Sequence, residues 1–407
     1  MQVLRFIHTA DLHLDSPFKG LNKLPEKLLY RLQESTFRSF ERIIEEAVKR
    51  EMDFVIISGD LYDGEDRSIK AQARMKRQLE KLAERRIPVF IIHGNHDHMG
   101  GRWTKLEMPE NVHIFHTEPE VKSIETNNGS VVHVYGFSYA ERHIYDRKID
   151  RFKKENQGGF HIGLLHGHCE GSPSTHQPYA PFTVNELLAK EFDYWALGHI
   201  HQHAVLSEDP YIIYPGNIQG RHRKEKGGKG CIEVNLCKDH TSIQFIETAD
   251  IIWEESVVSA AGITEFNELF TLLTAELVRF RKTDQGVILG IQLVETEALS
   301  AEAIDKIHSG ELLEILQDDE DPEQNFVWIN SIDIEAKTFS NAGVFDTGFM
   351  DELKAAFEGF ERHHLEESTK DLYHHMFARR YLHDLEEEEE KAVIEKAQQL
   401  ILQHLQK

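Results

Sequence analysis

The chain has 407 residues and a formal net charge of -24, an acidic balance that argues against a general nucleic-acid-binding surface. Hydrophobic residues make up 40% of the chain, enough for a sizeable core. No apolar run reaches the roughly twenty residues that a membrane-spanning helix needs. The three cysteines lack disulfide-framework spacing and the N-terminus lacks a signal-peptide pattern, so we predict a cytoplasmic protein with reduced thiols and two or three domains.

Strands and helices alternate at the start of the chain. We predict, in order, a strand at Val3–Ile7, a helix from about Pro25, a strand at Phe54–Ile57, a helix at Ser68–Glu84 and a strand at Pro88–Ile92. The short apolar runs are rich in β-branched residues, which is typical of strands buried on both faces of a sheet. Between Val112 and Ile246 strands predominate. This order predicts an α/β sandwich of two sheets flanked by helices over residues 1–250.

The pattern changes beyond residue 250. The pattern of residues 251–336 predicts a small α+β domain, in the order strand, helix, strand, helix and strand. Its second helix is predicted at about Ala301–Leu316. Residues 337–343 resemble a linker, and residues 344–407 are predicted to be helical. The predicted features of this last region are an apolar stripe of Phe349, Leu353, Phe357 and Phe360 and an acidic run at Glu386–Glu390.

Polar side chains with metal-binding chemistry follow the ends of several predicted strands. They are Asp11, His13, Asp60, Asn95, His96, His166, His199 and His201. Ligands of open α/β sheets bind at the carboxyl ends of the strands, and residues two apart can aim side chains at one point. Carboxylate, imidazole and amide ligands suit Mn²⁺, Fe or Zn²⁺. There are enough ligands for two ions, and two ions about 3.5–4 Å apart form a clamp for phosphoryl transfer.

Each of these residues also has a purely structural interpretation. Asp11 alone could cap a helix or a turn, and Asp60 alone could form an Asx-turn. Their joint occurrence at successive strand ends favours metal binding.

Five short motifs carry a family resemblance. They are His8–His13, Gly59–Asp63, Gly94–Asp97, Leu165–Gly167 and Gly198–His201, followed by Tyr214–Asn217. In order and strand context they resemble the calcineurin-like metallophosphoesterases. Within that family they are most similar to the SbcD-type DNA repair nucleases and their YhaO-like bacterial branch. The resemblance implies a four-layer sandwich of two mixed β-sheets flanked by helices, with residues 251–336 as a capping domain.

The resemblance also implies a role for each motif residue. One ion would be held by Asp11, His13 and His201, and the other by Asn95, His166 and His199, with Asp60 bridging the two. The ions are expected to be Mn²⁺. His96 would be the catalytic histidine that stabilises the scissile phosphate and protonates the leaving oxygen. Asp63 and Asp97 would orient histidines or loop backbone. The motif does not exclude His168 in place of His166.

Metal chemistry does not name the substrate, because monoesters, cyclic nucleotides and nucleic-acid diesters all suit two ions. A loop carrying Arg221, Arg223, Lys224, Lys226 and Lys229 follows Asn217 and could contact a phosphate backbone. The alternative is a solvated hairpin. Arg102 and Trp103 could stack on a base, or they could cover the edge of the sandwich.

We therefore predict a two-metal DNA phosphodiesterase that acts on DNA ends in DNA repair, as an exonuclease or endonuclease. The alternatives are a small-molecule phosphodiesterase, for example on cyclic nucleotides, and a scaffold subunit with weak activity. The resemblance implies that residues 344–407 dock on the coiled coil of an SbcC-type ABC ATPase, since the chain has no GxxxxGK[ST] motif. These helices could instead fold back on their own domain. A homodimer is also possible.

Overall fold

The protein is described here from a computed structural model. The described residues are 3–18, 24–64, 67–101, 103–171, 179–335, 352–353, 355–357, 359–360, 362–373, 385 and 387–405. Arg102, the predicted linker at 337–343 and Phe349 lie outside them. The chain divides into two compact units, Met1–Asp333 and Ile334–Lys407. Among the described residues, no helix is both long enough and apolar enough to cross a membrane.

The first sheet has six strands in the order β12-β11-β1-β2-β3-β4. Its strands are β1 (Leu4–Thr9), β2 (Phe54–Ser58), β3 (Val89–Ile92), β4 (Val112–Ile114), β11 (Gly230–Leu236) and β12 (Ser242–Glu247). The strands β1 to β4 are parallel, and β11 and β12 add antiparallel pairs at one side. Two long helices, α1 (Glu26–Lys49) and α2 (Ile69–Glu84), pack through their apolar faces on the outer side of this sheet. Pro25 and Ser68 occupy their N-cap positions.

The second sheet also has six strands, in the order β5-β6-β7-β8-β10-β9. Its strands are β5 (Glu120–Glu125), β6 (Val131–Gly136), β7 (Phe160–His166), β8 (Tyr194–Gly198), β9 (Ala204–Glu208) and β10 (Tyr211–Tyr214). Its central strands are parallel, and β5 and β9 pair antiparallel at the two edges. A short helix α3 (Val184–Leu188) and a 3-10 turn (Lys148–Arg151) belong to its outer side.

The two sheets face each other through a shared apolar core. Phe6, Phe54 and Phe90 from the first sheet are fully buried in one cluster with Ile162 and Tyr194 from the second. Burying a side chain of this size contributes about 1.5–3 kcal/mol, so this layer is a main source of stability. The predicted α/β sandwich of two mixed sheets flanked by helices is confirmed.

A third, three-stranded sheet follows in the first compact unit. It contains β13 (Ile251–Ser259), β14 (Gly286–Val294) and β15 (Val327–Ile334), with helices α4 (Phe266–Phe280), α5 (Ala301–His308) and α6 (Glu311–Asp318). The single helix expected at about residues 301–316 is therefore two helices. The chain breaks at Gly310, whose φ of 83° is in the left-handed region that glycine adopts without strain.

Asp250, just before this third sheet, lies at a charged junction with helix α1. Its carboxylate is buried and accepts hydrogen bonds from Arg31 at 3.1 Å, Arg38 at 3.4 Å and Arg42 at 3.1 Å. Arg42 also donates to the backbone carbonyl of Asp284. A buried carboxylate is stable only when it is paired and hydrogen-bonded, so these arginines fix the start of the third sheet against α1. The boundary predicted at residue 250 stays a prediction. In the second unit, helices cover Arg362–Tyr373 and Glu387–Leu405.

The carboxyl end of β8 in the second sheet lies very close to the carboxyl end of β2 in the first sheet, at Gly198. A Cβ added at Gly198 would lie 1.9 Å from the carbonyl oxygen of Ser58, at the end of β2. Only glycine allows β8 and β2 to come this close.

We expect Gly198→Ala to destabilise the fold by about 1–3 kcal/mol or more, because the atom it meets is backbone and cannot move aside cheaply. Chemical denaturation or the thermal midpoint measures the loss. Gly158→Ala is the matched control, because no atom lies within 4 Å of the added Cβ there. Equal stability of the two variants would contradict the close approach.

Candidate metal centre

The loops that follow β1 and β2 run side by side and hold one another. The amide of Asp11 donates to the carbonyl of Gly59 at 3.0 Å, and the amide of His13 donates to the carbonyl of Asp60 at 3.0 Å. Asp11, His13, Asp60 and His199 have φ angles of 50°, 42°, 50° and 99°. Such left-handed conformations cost about 1–3 kcal/mol in non-glycine residues and cluster at functional sites. The strained loops direct these side chains into one region.

One group of side chains is centred on His166 at the end of β7. Atoms of Asp11, Asp60 and His166 lie within 4.8 Å of one another, and all three residues are buried. The Nδ1–H of His166 donates to the carbonyl of Ser58 at 2.9 Å. Its Nε2 lies 3.4 Å from Asp60 Oδ2 and 3.1 Å from Asn95 Oδ1. With Nδ1 bound to a backbone carbonyl, Nε2 is the nitrogen that could bind a metal ion in exchange for its proton.

A second group forms around the nitrogens of His13 and His201. Atoms of Asp11, His13 and His201 lie within 4.8 Å of one another, and the two Nε2 atoms are 3.0 Å apart. The Nδ1–H of His201 donates to Glu225 Oε1 at 2.6 Å, which leaves the lone pair of its Nε2 toward His13. Two imidazole nitrogens and a carboxylate at this spacing form a donor set for a divalent cation.

The electrostatics of the buried groups also fit cation binding. Burial raises the pKa of Asp11 to about 8 and lowers the pKa of His13 to about 3. Burial also acts to lower the pKa of His166, but the neighbouring Asp60 carboxylate raises it more, to about 9. Two buried carboxylates side by side are costly without a compensating positive charge. Divalent ions held by these oxygens and nitrogens would supply that charge.

His199 completes the set of expected ligands in this region. Its backbone amide donates to both oxygens of Asp11, at 3.0 and 3.1 Å, and its ring centre lies 5.3 Å from that of His166. Thus Asp11, His13, Asp60, Asn95, His166, His199 and His201 come together at one edge of the two sheets. Among the described residues, His168 is not in any group of metal-binding spacing, so the geometry favours His166 over it.

Comparison of the sequence with known proteins identifies its family. Residues 4–203 match the calcineurin-like phosphoesterase family. Over 404 residues, 99% of this chain and 98% of the relative, the sequence is 40% identical to the uncharacterized metallophosphoesterase YhaO of Bacillus subtilis. The chain belongs to the calcineurin-like metallophosphoesterases. Members of this family are phosphoester hydrolases with a dinuclear metal centre.

More distant relatives of this metallophosphoesterase are named as DNA repair proteins. The chain is 26% identical over 281 residues to the DNA double-strand break repair protein Mre11 of Methanocaldococcus jannaschii, covering 65% of this chain and 72% of that one. It is 29% identical over 262 residues to the protein of the same name from Sulfurisphaera tokodaii, covering 60% and 63%.

His96 lies between the ligand groups and a cavity of about 420 Å³. Its backbone amide donates to Asp60 Oδ1 at 2.9 Å, and its Nδ1–H donates to the carbonyl of Asp63 at 3.3 Å. Among the described residues, its Nε2 has no hydrogen-bond partner. The cavity is also lined by Asp63, Arg142 and Arg221. A histidine with one nitrogen fixed and the other available can transfer a proton to a substrate.

Two further aspartates contact the elements that carry the ligands. Asp97 accepts from the Nδ1 of His93 at 2.7 Å and from the amides of Gly94 at 2.8 Å and Leu61 at 3.2 Å, so it holds the loop after β3. Asp63 Oδ1 lies 3.2 Å from the Nδ1 of His13 and pairs with Arg221. Although burial opposes the shift, His13 and Arg221 lower the pKa of Asp63 to about 2.

Glu225 is a residue of this site that sequence reasoning missed. Its buried carboxylate accepts from the Nδ1 of His201 at 2.6 Å, the side-chain amide of Asn217 at 3.0 Å and the backbone amide of Arg221 at 2.7 Å. It therefore orients His201, a candidate metal ligand. It stands between Lys224 and Lys226 in the sequence, so the available signal was one acidic residue inside a basic run.

The loop that was predicted to be a basic patch is largely committed to internal contacts. Arg221 pairs with Asp63, Lys226 pairs with Glu255, and the buried Lys229 donates to the carbonyl of His201 at 2.8 Å. Arg223 and Lys224 are exposed. The loop therefore contributes more to holding the metal centre than its composition indicates.

Trp103 is covered by an arginine that sequence reasoning did not identify. The guanidinium of Arg67 lies 3.6 Å from the centre of the Trp103 ring and donates to the carbonyl of Asp97 and, at 2.6 Å, to that of His98. This contact supports the loop after β3 and occupies one face of the ring. Base stacking by Trp103 stays a prediction.

We expect Asp60→Asn to lose most of the bound metal, because an amide removes the charge of the carboxylate placed between the two ligand groups. Asparagine tolerates the left-handed backbone at this position, so the fold should be retained. Elemental analysis after dialysis against Mn²⁺ measures the content. Asp239→Asn, at an exposed position, is the control, and equal metal content in both variants would contradict the assignment.

We expect Glu225→Gln to weaken metal binding about 10- to 100-fold, as observed for partners of metal-ligand histidines. Three N–H groups point at the carboxylate, and in either orientation the glutamine NH₂ faces one of these donors. Titration calorimetry with Mn²⁺ measures the affinity. The control is Glu233→Gln, a buried carboxylate that pairs with Arg50 and Arg5 away from the site. Wild-type affinity in Glu225→Gln, or an equal loss in both variants, would contradict this role of Glu225.

Proposed function

We propose that this metallophosphoesterase is a phosphodiesterase that cuts DNA at or near its ends, with two divalent ions as cofactors. The observation that carries the proposal is the convergence of carboxylate, imidazole and amide donors beside His96 and an open cavity. The names of the more distant relatives, DNA double-strand break repair proteins, favour DNA among the possible diesters.

Different residues would hold the two ions. Asp11, His13 and His201 would hold one ion, Asn95, His166 and His199 the other, and Asp60 would contact both. Bound ions supply stabilisation of phosphate charge and a lowered pKa for an attacking water. Oxygen and imidazole donors without thiolate suit Mn²⁺, which we propose as the metal.

His96 would supply the proton for the departing 3′ oxygen. The hydrogen bond of its Nδ1–H to the Asp63 carbonyl fixes the ring, so Nε2 is the nitrogen that can meet the substrate. Its amide contact with Asp60 places it next to the ligand groups, and its ring lies in a third group of metal-binding spacing with His13 and Asp63. General acid catalysis of this kind contributes about a hundred- to ten-thousand-fold in rate.

We propose that the second unit docks on an ATPase partner of the SbcC type. The helix Glu387–Leu405 carries exposed Val393 and Ile401, and an exposed apolar pair on an amphipathic helix suits a coiled-coil partner. Co-purification of the full chain with such an ATPase tests this part. Loss of complex in a Val393→Asp, Ile401→Asp variant would support the segment, and unchanged complex formation would exclude it.

We expect the wild-type protein with Mn²⁺ to cut end-labelled duplex DNA, and His96→Ser to lower this rate by about a hundred- to ten-thousand-fold with unchanged metal content. Gel analysis of the labelled products and elemental analysis provide the two measurements. His240→Ser, at an exposed position, serves as the control.

Cleavage of a cyclic nucleotide with no cutting of DNA would instead support the small-molecule alternative. Absence of any hydrolysis, with the ATPase partner present as well, would support a scaffold role. Normal DNA cutting by His96→Ser would show that another group protonates the leaving oxygen.

A further inference from the structure

The loop after β6 brings an arginine to the cavity beside His96. Arg142 lines this cavity, on a segment that is tied down at both ends. The amide of Tyr139 donates to the carbonyl of His93 at 3.0 Å, and the amide of Ala180 donates to the carbonyl of Ile144 at 2.7 Å. The arginine is therefore carried by a backbone segment that is fixed relative to the loop of the metal centre.

The charge of Arg142 has no protein partner among the described residues. The other guanidinium of the cavity, on Arg221, pairs with Asp63, and Asp63 also contacts His13. Arg142 is exposed and makes no hydrogen bond or ion pair with any described residue. A guanidinium on the cavity wall that is not neutralised by a described carboxylate is available to bind an anionic ligand there.

The cavity is larger than a single phosphate group requires. Its volume of about 420 Å³ can accommodate a nucleotide unit next to the bond that is cut. The metal centre and His96 already serve the scissile phosphate. A guanidinium on the cavity wall matches the geometry of a second phosphate, which it can bind through paired N–H donors.

We infer that Arg142 binds the phosphate adjacent to the scissile one and so selects polynucleotides over diesters with a single phosphate. This inference rests on the proposed function, because it specifies the substrate of the same site. It assigns to Arg142 a role in substrate recognition, with no part in holding the ions.

The test compares two substrates that differ in neighbouring phosphates. A thymidine tetranucleotide has flanking phosphates, whereas bis(p-nitrophenyl) phosphate has one phosphate only. We expect Arg142→Gln to lower kcat/KM for the tetranucleotide about 10- to 100-fold, mainly through KM, as for the loss of one charge-assisted contact. Hydrolysis of bis(p-nitrophenyl) phosphate should stay within about twofold of wild type, because this substrate has no second phosphate for Arg142 to bind. Arg142→Lys should recover part of the loss.

A binding measurement gives a readout that does not depend on turnover. Fluorescence anisotropy of a labelled oligothymidine in EDTA reports binding of the metal-free protein at several salt concentrations. Removing one phosphate contact should make the slope of log K against log salt shallower by about 0.7. Arg77→Gln, an exposed arginine on α2, is the matched control for loss of charge and should leave the slope and both activities unchanged.

The outcomes separate the two proposals. A wild-type protein that hydrolyses bis(p-nitrophenyl) phosphate and leaves all DNA uncut would overturn the proposed function, and the inference with it. A wild-type protein that cuts the tetranucleotide, with Arg142→Gln equally active on it, would overturn the inference alone. Equal losses on both substrates would also overturn it, because they would show a general role at the metal centre.

Discussion

The hydrogen bond from the Nδ1–H of His166 to the carbonyl of Ser58 is the interaction on which the site depends. It joins the end of β7 in the second sheet to the end of β2 in the first. It also fixes the ring orientation of His166, so that Nε2 faces Asp60 and Asn95. The contact requires strand ends that approach as closely as only Gly198 permits. One bond therefore links the packing of the sandwich to the orientation of a candidate metal ligand.

Around that bond, the structure concentrates unfavourable features that a bound cation would offset. Asp11 and Asp60 are buried next to each other, and Asp11, His13 and Asp60 have left-handed backbone. Each feature costs free energy in the absence of a ligand. The buried inter-sheet core, with Phe6, Phe54 and their neighbours, supplies the stability that maintains this arrangement. Support from Glu225 and Asp97 then orients the ligands without adding charge at the centre.

Sequence analysis predicted the strands and helices that have a recognisable pattern within a short stretch of sequence. The buried strands β1, β2 and β3 are apolar runs ending in metal-binding residues, and the structure has them within two residues of the predicted bounds. The edge strands β5 and β9 were not predicted, because half-exposed edges lack such a run. The helix break at Gly310 was missed because the apolar periodicity continues across it.

In the candidate site, too, sequence analysis predicted the residues that have a local sequence pattern. Ligands next to strand ends form recognisable motifs, and the structure brings them together. Glu225 and Arg67 act through contacts with distant parts of the chain, at His201 and at the loop after β3. Such contacts follow from the fold and have no local pattern. In the basic loop, Arg221 and Lys229 have internal partners that its composition did not indicate, and contact of Arg223 and Lys224 with a phosphate backbone stays a prediction.

The cluster of Arg31, Arg38 and Arg42 around Asp250 has a consequence for how the chain can be divided. A fragment ending before Asp250 would retain three guanidinium groups on α1 and lose the carboxylate that neutralises them. It would also expose Phe18, which packs with Trp253 of the third sheet and forms part of the wall of the cavity beside His96. The candidate metal ligands and the third sheet therefore belong to one compact unit, and the third sheet supports Phe18 in the wall of the cavity beside His96.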